Sequence, residues 1–238
     1  MTNDIENMAL GIVIIAGGQG ARFGGNKLLV NHPTEQSTTE QSTTEHPPTA
    51  QPMLHYVIQQ YLGLQPYYLC VVTGAYHDEI NKSLRKDTAL SGIFGSNDTK
   101  YELIHHKNWQ QGMGSTIAVG VNRALKSNPA LSHIMIGLAD QPMITTTSLD
   151  QLSMAMQRQS AEPKPLIVAS EWQQQLYPPM IFSRHYFASL LELNGDKGAR
   201  RIVARELKNN PNNCVCVSHP EAAVDIDSPQ DYALLCNR

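Results

Sequence analysis

The apolar run Gly11–Ala16 and the glycine-rich stretch directly behind it constrain this chain more than any other segment. Residues 11 to 27 read Gly-Ile-Val-Ile-Ile-Ala-Gly-Gly-Gln-Gly-Ala-Arg-Phe-Gly-Gly-Asn-Lys. A short, β-branched run with no polar face reads as a strand buried on both sides. Five glycines then fall between Gly17 and Gly25. Glycine reaches φ > 0 and has no Cβ, so such a loop can bring backbone N–H groups against an anion. Arg22 and Lys27 add two cations able to neutralise a polyphosphate. The segment therefore predicts a nucleoside triphosphate site. Its expected nucleotide contacts are Ala16, Gly17, Gly18, Gly20, Arg22 and Lys27, and Arg22 and Lys27 are expected to act in catalysis.

Two better-known glycine loops do not fit. A dinucleotide fingerprint needs G-x-G-x-x-G, and counted from Gly18 the third glycine position holds Phe23. A P-loop needs G-x-x-x-x-G-K-[ST]. Counted from Gly20, Gly25 fits, but Asn26 separates it from Lys27, and Leu28 stands where the hydroxyl residue belongs.

Beyond the loop, strands alternate with helices. Strand-like runs are Gly11–Ala16, Tyr67–Thr73, Tyr101–His105, Ser132–Ala139, Pro165–Ala169, Cys214–Val217 and Ala223–Ile226. Helical patterns cover Pro52–Leu62, Asp78–Arg85, a segment capped by Ser115 and running to Lys126, Thr147–Gln157, Ser183–Leu193, Lys197–Lys208, and a last one opened by Ser228 with Pro229 at its first position. This order predicts an α/β fold with a mostly parallel sheet covered on both faces, in one domain spanning 1–238. From Asn31 to Gln51 the chain is poor in aliphatic residues and rich in Thr, Glu, Gln, Ser and Pro. Thr34–Thr38 and Thr39–Thr43 are the same pentapeptide. Such a stretch buries too little apolar surface to offset its ordering entropy, so a disordered surface insertion is expected there.

In parallel sheets, ligands sit beyond the carboxyl ends of strands, where the other polar motifs also fall. Leu138-Ala139-Asp140-Gln141-Pro142 puts Asp140 just past an apolar strand. Mg²⁺ on a triphosphate needs one or two carboxylates besides phosphate oxygens and water, so Asp140 is expected as a metal ligand and catalytic residue. Asp225-Ile226-Asp227-Ser228-Pro229 offers acids where the last strand is expected to give way to a helix, and Asp227 is expected as the second metal ligand. Gly112, Gly114 and Ser115 precede a helix and are expected to contact the nucleotide. Gly195-Asp196-Lys197-Gly198-Ala199-Arg200-Arg201 sets basic residues at a helix start, against the dipole preference, which favours an external anion as their partner.

Composition excludes other classes. Of the 238 residues, 41% are hydrophobic and 16% charged, as in an ordinary globular protein. The net charge of −3 gives no electrostatic reason to expect nucleic acid or an anionic membrane. No apolar run approaches the about 18 residues of a membrane span, and the first ten residues lack the pattern of a signal peptide. Four cysteines, Cys70, Cys214, Cys216 and Cys236, form neither a zinc nor a disulfide framework. A cytoplasmic location is expected.

The loop matches the nucleotidyltransferase signature A-[AG]-G-x-x-x-R-[FM]-G-x-x-K at Ala16, Gly17, Gly18, Arg22, Phe23, Gly24 and Lys27. With Gly112–Thr116, Leu138–Pro142, Gly195–Arg200 and Asp225–Asp231 following in order, the chain resembles the molybdenum-cofactor cytidylyltransferases from about Leu10 onward, apart from the insertion. The resemblance implies a Rossmann-like three-layer α/β/α nucleotidyltransferase fold. It also implies transfer of CMP from CTP to the molybdenum-pterin cofactor, with Mg²⁺ and release of pyrophosphate. On that basis Asp196, Lys197 and Arg200 would face the pterin phosphate, and a recipient molybdoenzyme is a further partner. Two alternatives stand beside it: a guanylyl- or cytidylyltransferase acting on another phosphorylated small molecule, and a non-catalytic cofactor-binding chaperone.

Overall fold

The computed structural model describes residues 8–32, 51–94, 100–159 and 166–237. Seven strands form one sheet: β1 (Leu10–Ala16), β2 (Tyr68–Thr73), β3 (Tyr101–His105), β4 (His133–Leu138), β5 (Ile167–Trp172), β6 (Gln175–Ser183) and β7 (Cys214–Ser218). Their order is β3-β2-β1-β4-β6-β5-β7, and β6 alone runs antiparallel to its neighbours.

The residues of β1 are all buried, because helices cover both faces of the sheet. Leu10, Ile12, Ile14 and Ala16 pack on one face with α1 (Met53–Leu62), α2 (His77–Lys86), α5 (Thr146–Gln159) and Leu235 of α8 (Pro229–Cys236). Val13 and Ile15 pack on the other with α4 (Met113–Ser127), α6 (Phe187–Leu191) and α7 (Arg200–Asn209). This division follows from the two-residue period of a strand. The short α3 (Ser91–Phe94) lies beside α2 on the first side. The result is the expected three-layer α/β/α sandwich.

Three sequence expectations change. β6 falls in a stretch for which no element was expected, and its Pro178-Pro179 pair removes two backbone donors. The strand tolerates the pair at a break in register: Ala169 pairs with Met180 and Ser170 with Tyr177, so both prolines fall where pairing lapses. The strand expected at Ala223–Ile226 does not form. Pro220–Ala223 is a 3₁₀ turn, and the following residues cross toward β4, where Ile226 N–H donates to the Asp140 carbonyl at 3.0 Å. The helix expected over Ser183–Leu193 splits into a 3₁₀ turn, Arg184–Tyr186, and α6. Ser183 belongs to β6, and its hydroxyl accepts from Leu166 N–H instead of capping.

The insertion's ends meet: His32 N–H donates to the Gln51 carbonyl at 2.8 Å, and Asn31 bridges Pro52. The expectation of disorder from 31 to 51 falls largely outside the described residues. Among the described residues, no helix is long and apolar enough to cross a membrane.

Candidate active site

The parallel strands bring their carboxyl ends to one rim. Ala16 lies beside Thr73, Thr73 beside His105, and Ile15 beside Leu138. The loops after β1, β2, β3 and β4 therefore converge, and the glycine loop and Asp140 become neighbours through sheet register alone.

The glycine loop turns tightly at Gly20, whose carbonyl accepts from Phe23 and Gly24 N–H at 3.0 Å each. Gly20 has φ +59, and a Cβ there would come within 2.4 Å of the Gly25 carbonyl oxygen, so only glycine suits the turn. The chain then enters a 3₁₀ turn, Lys27–Leu29, anchored by buried Leu28. α2 braces the loop twice: Tyr76 donates its hydroxyl to the Gln19 carbonyl at 2.9 Å, and Asn26 donates to Glu79 at 3.1 Å.

Lys27 turns inward. Its Nζ donates to Asp140 Oδ2 and to Asp227 Oδ1, each at 2.7 Å, while Arg22 pairs with the other oxygen of Asp227. Burial opposes the Lys27 charge, but Asp140 and then Asp227 outweigh it and hold its pKa above the usual lysine value. Asp225, on the solvent side, joins the cluster. Partial burial, then Asp140 and Asp227, push its carboxyl above the ordinary range. The capping box in which Ser228 and Asp231 bond reciprocally fixes the start of α8, just after Asp227.

Arg22, Lys27, Asp140 and Asp227 line a cleft of about 280 Å³, open to solvent, and Asp225 lies outside its lining. Eight expected residues share it: Ala16, Gly17, Gly18, Gly20, Arg22, Lys27, Asp140 and Asp227. Asp140 Oδ1 is buried and has no hydrogen-bond donor. An orphaned carboxylate oxygen beside a second carboxylate is a donor set that fits a hard divalent cation. Among the described residues, no group of three or more His, Cys, Asp or Glu is arranged to hold a metal alone. Such a cation would therefore need phosphate oxygens to complete its shell.

The second half of the expected site is arranged differently. Of residues 112–116 only Met113 lines the cleft. α4 starts at Met113, so Ser115 is not its cap. The Ser115 hydroxyl donates to the Gly112 carbonyl at 2.8 Å and lies 3.0 Å from His106 Nε2. Gly112 and Gly114 face the Asn194–Asp196 segment, and Gly114 N–H donates to the Gly195 carbonyl at 2.8 Å. Gly198 lies against the Met113 thioether. The two motifs thus form one packed unit at the cleft's edge. Asp196, Lys197 and Arg200 are exposed and lie outside the cleft lining, with the Arg200 guanidinium over the Tyr177 ring at 5.5 Å. A methyl at Gly17 would touch Thr116 at 3.4 Å rather than open space.

Tyr76, Met113, Gln141 and His106 carry contacts here that sequence reasoning did not single out. Tyr76 and Gln141 each follow the carboxyl end of a strand within a few residues, which was the available signal. His106 is recognisable only once Ser115 is placed beside it.

A family model described as the MobA-like NTP transferase domain matches residues 12–210. The chain belongs to that family. This nucleotidyltransferase also shares its fold with solved structures. Rv0371c from Mycobacterium tuberculosis H37Rv has a TM-score of 0.67 and 17% identity over 97% of this chain and 98% of that one. A second structure of Rv0371c is a complex with manganese, with a TM-score of 0.62 and 16% identity over 96% and 98% of the two chains. Mth528, a nucleotidyl transferase from Methanothermobacter, has a TM-score of 0.67 and 16% identity over 97% of each. No curated protein matches the chain. At these identities the structural likenesses show the fold. The family match carries the assignment as an NTP transferase.

Proposed function

We propose that this nucleotidyltransferase moves CMP from CTP to the terminal phosphate of a molybdenum-pterin cofactor and releases pyrophosphate. What carries the reading is the packing of the Gly195–Arg200 segment on the start of α4. The Gly114–Gly195 hydrogen bond and the Met113–Gly198 contact hold a basic, glycine-bracketed loop at the edge of the triphosphate cleft. An anionic acceptor approaching Lys197 and Arg200 would arrive next to the nucleotide's α-phosphate. The order of motifs along the chain, which resembles the cytidylyl family, supports the same substrates.

In this mechanism an oxygen of the acceptor phosphate attacks the α-phosphorus, and the bond from that phosphorus to the β-phosphate's bridging oxygen breaks. The attacking phosphate is already an oxyanion, so no general base is needed. Backbone N–H groups of Gly17, Gly18 and Gly20 cradle the triphosphate. Arg22 and Lys27 leave their ion pairs with Asp227 and Asp140 and stabilise the charge that gathers on departing pyrophosphate. Asp140 and Asp227 would hold Mg²⁺, which supplies alignment and charge neutralisation on the phosphates. The manganese complex of Rv0371c is in keeping with a divalent cation at a site of this fold. The enzyme is expected to work in the cytoplasm, as a single domain, with a molybdoenzyme receiving its product.

The test is incubation with each of the four NTPs, Mg²⁺ and molybdenum-loaded pterin, followed by mass analysis. The expected product carries CMP and appears with stoichiometric pyrophosphate. A tenfold higher efficiency with GTP would establish the guanylyl alternative. Labelled nucleotide that never leaves the triphosphate pool, with any NTP, would favour a binding protein.

A further inference from the structure

Asp140 and Asp227 come from distant parts of the chain, and no sheet ladder fixes Asp227, because the strand expected before it does not form. His219, at the start of its segment, is tied to β5 through its N–H to the Glu171 carbonyl at 2.9 Å and its Nδ1 at 2.8 Å from Ser170 Oγ. Two further links join the segment to the turn that carries Asp140. The main-chain link is Ile226 N–H to the Asp140 carbonyl at 3.0 Å. The second is the side chain of Gln141, which is 1% exposed. Its Nε2 donates to the Ala222 carbonyl at 2.6 Å and to the Pro178 carbonyl at 2.9 Å. Both partners are acceptors, so they fix which end of the amide faces them and use both of its hydrogens. One buried amide therefore joins three segments: the turn carrying Asp140, the irregular middle of β6, and the 3₁₀ turn five residues before Asp227.

We propose that Gln141 is a positioning residue that sets the separation of Asp140 and Asp227. The proposal rests on the reading above, in which those two carboxylates hold the divalent cation. Gln141 touches neither substrate nor cation; it acts by keeping the 219–227 segment at a fixed distance from the turn after β4. Without its donors the buried Ala222 carbonyl and the partly buried Pro178 carbonyl lose this partner, a state folded proteins avoid by local rearrangement. The segment that moves most readily is the one lacking a strand, and it carries Asp227. In Gln141→Met, with similar volume and no donor, the two carboxylates lose their common register while the sheet persists.

The experiment measures Mn²⁺ binding in the presence of CTP by water-proton relaxation, a readout that needs no turnover. Gln141→Met should raise half-saturating Mn²⁺ about tenfold or more, the range seen when residues that orient metal ligands are removed. Tyr186→Phe serves as the comparator. It deletes a buried hydrogen bond to Glu206 at 3.1 Å, next to the end of β6 that pairs with the start of β4, on the rim away from the cleft. It should lower thermal stability yet leave Mn²⁺ binding unmoved. Should Gln141→Met fail to fold, Gln141→Asn, whose amide falls one methylene short, is expected to show the same shift. Half-saturation within twofold of wild type in the folded Gln141 variant, or an equal shift in Tyr186→Phe, would overturn the proposal while leaving the proposed function standing. Wild-type protein that binds no Mn²⁺ with either CTP or GTP would overturn both.

Discussion

Gly112 is where a single methyl should cost most. Its backbone, at φ 99 and ψ 176, lies in a region reserved for glycine, and a side chain there costs on the order of 1–3 kcal/mol. The space is also taken. A Cβ would stand 2.4 Å from the carbonyl carbon and oxygen of Gly195 and 2.6 Å from Asp196 Oδ1. Gly195 is backbone and cannot rotate aside, so its segment must move, which adds roughly 1–3 kcal/mol of overpacking. Gly112→Ala should therefore lose about 2–6 kcal/mol. At about 2–4 °C per kcal/mol for a chain of this size, Tm should fall by roughly 4 °C at the least. The displaced segment bonds to Gly114 through Gly195, so the KM for the acceptor should rise more than the KM for the nucleotide. Gly92→Ala is the comparator. It has open space around the new Cβ and an ordinary φ, so it should be neutral or gain about 0.4–1 kcal/mol. Differential scanning calorimetry of both variants and wild type gives the answer. A Gly112→Ala midpoint within about 2 °C of wild type would refute the reasoning about how the two loops pack.

Three further outcomes follow from the same geometry. Asp140→Asn should keep the fold and lose turnover by more than about a hundredfold, because charge stabilisation at such a site is worth several kcal/mol; activity within tenfold of wild type at saturating metal would remove Asp140 from the chemistry. Replacing Pro33–Ala50 with Asn-Gly should leave Tm and activity nearly unchanged, since His32 and Gln51 are already hydrogen-bonded and a two-residue turn suits such a pair; a large loss of activity in folded protein would show that the insertion takes part in the reaction. Burial lowers the pKa of His55, His133 and His219, and burial followed by His105 lowers those of His77 and His106. Groups with depressed folded pKa values give stability that is full above the unfolded value of 6.5 and lost as pH falls through the folded values. Tm should accordingly drop between pH 7.5 and 5, and a midpoint that holds or rises over that range would contradict the burial of these rings.

Much of the sheet was legible because its strands are buried on both faces, so β1, β2 and β4 read as apolar runs whatever their neighbours. The glycine loop was legible because positive φ and two cations leave a mark on the sequence itself. β6 was not, since a proline pair reads as a breaker until the bulge that accommodates it is known. Ala223–Ile226 failed in the opposite direction. Its apolar residues suit a strand, but Ala222 and Ile226 are buried under the rim of the sheet, and burial alone does not require pairing.

The sequence by itself determined what each segment could become: an apolar run a strand, a glycine stretch a tight turn, Ser228-Pro229 the start of a helix. Those outcomes depend on residues within one turn or one pleat of each other. Only the tertiary structure decided which of them meet. Lys27 reaches Asp140 because β1 and β4 are neighbours in register, although six other helices and strands separate them along the chain. Asp227 joins them across the rim, where Ile226 N–H meets the Asp140 carbonyl, the Gln141 amide meets the Ala222 carbonyl, and Lys27 bridges the two carboxylates. Such contacts are set by sheet order and buried hydrogen bonds between distant segments, and neither leaves a local periodicity to read.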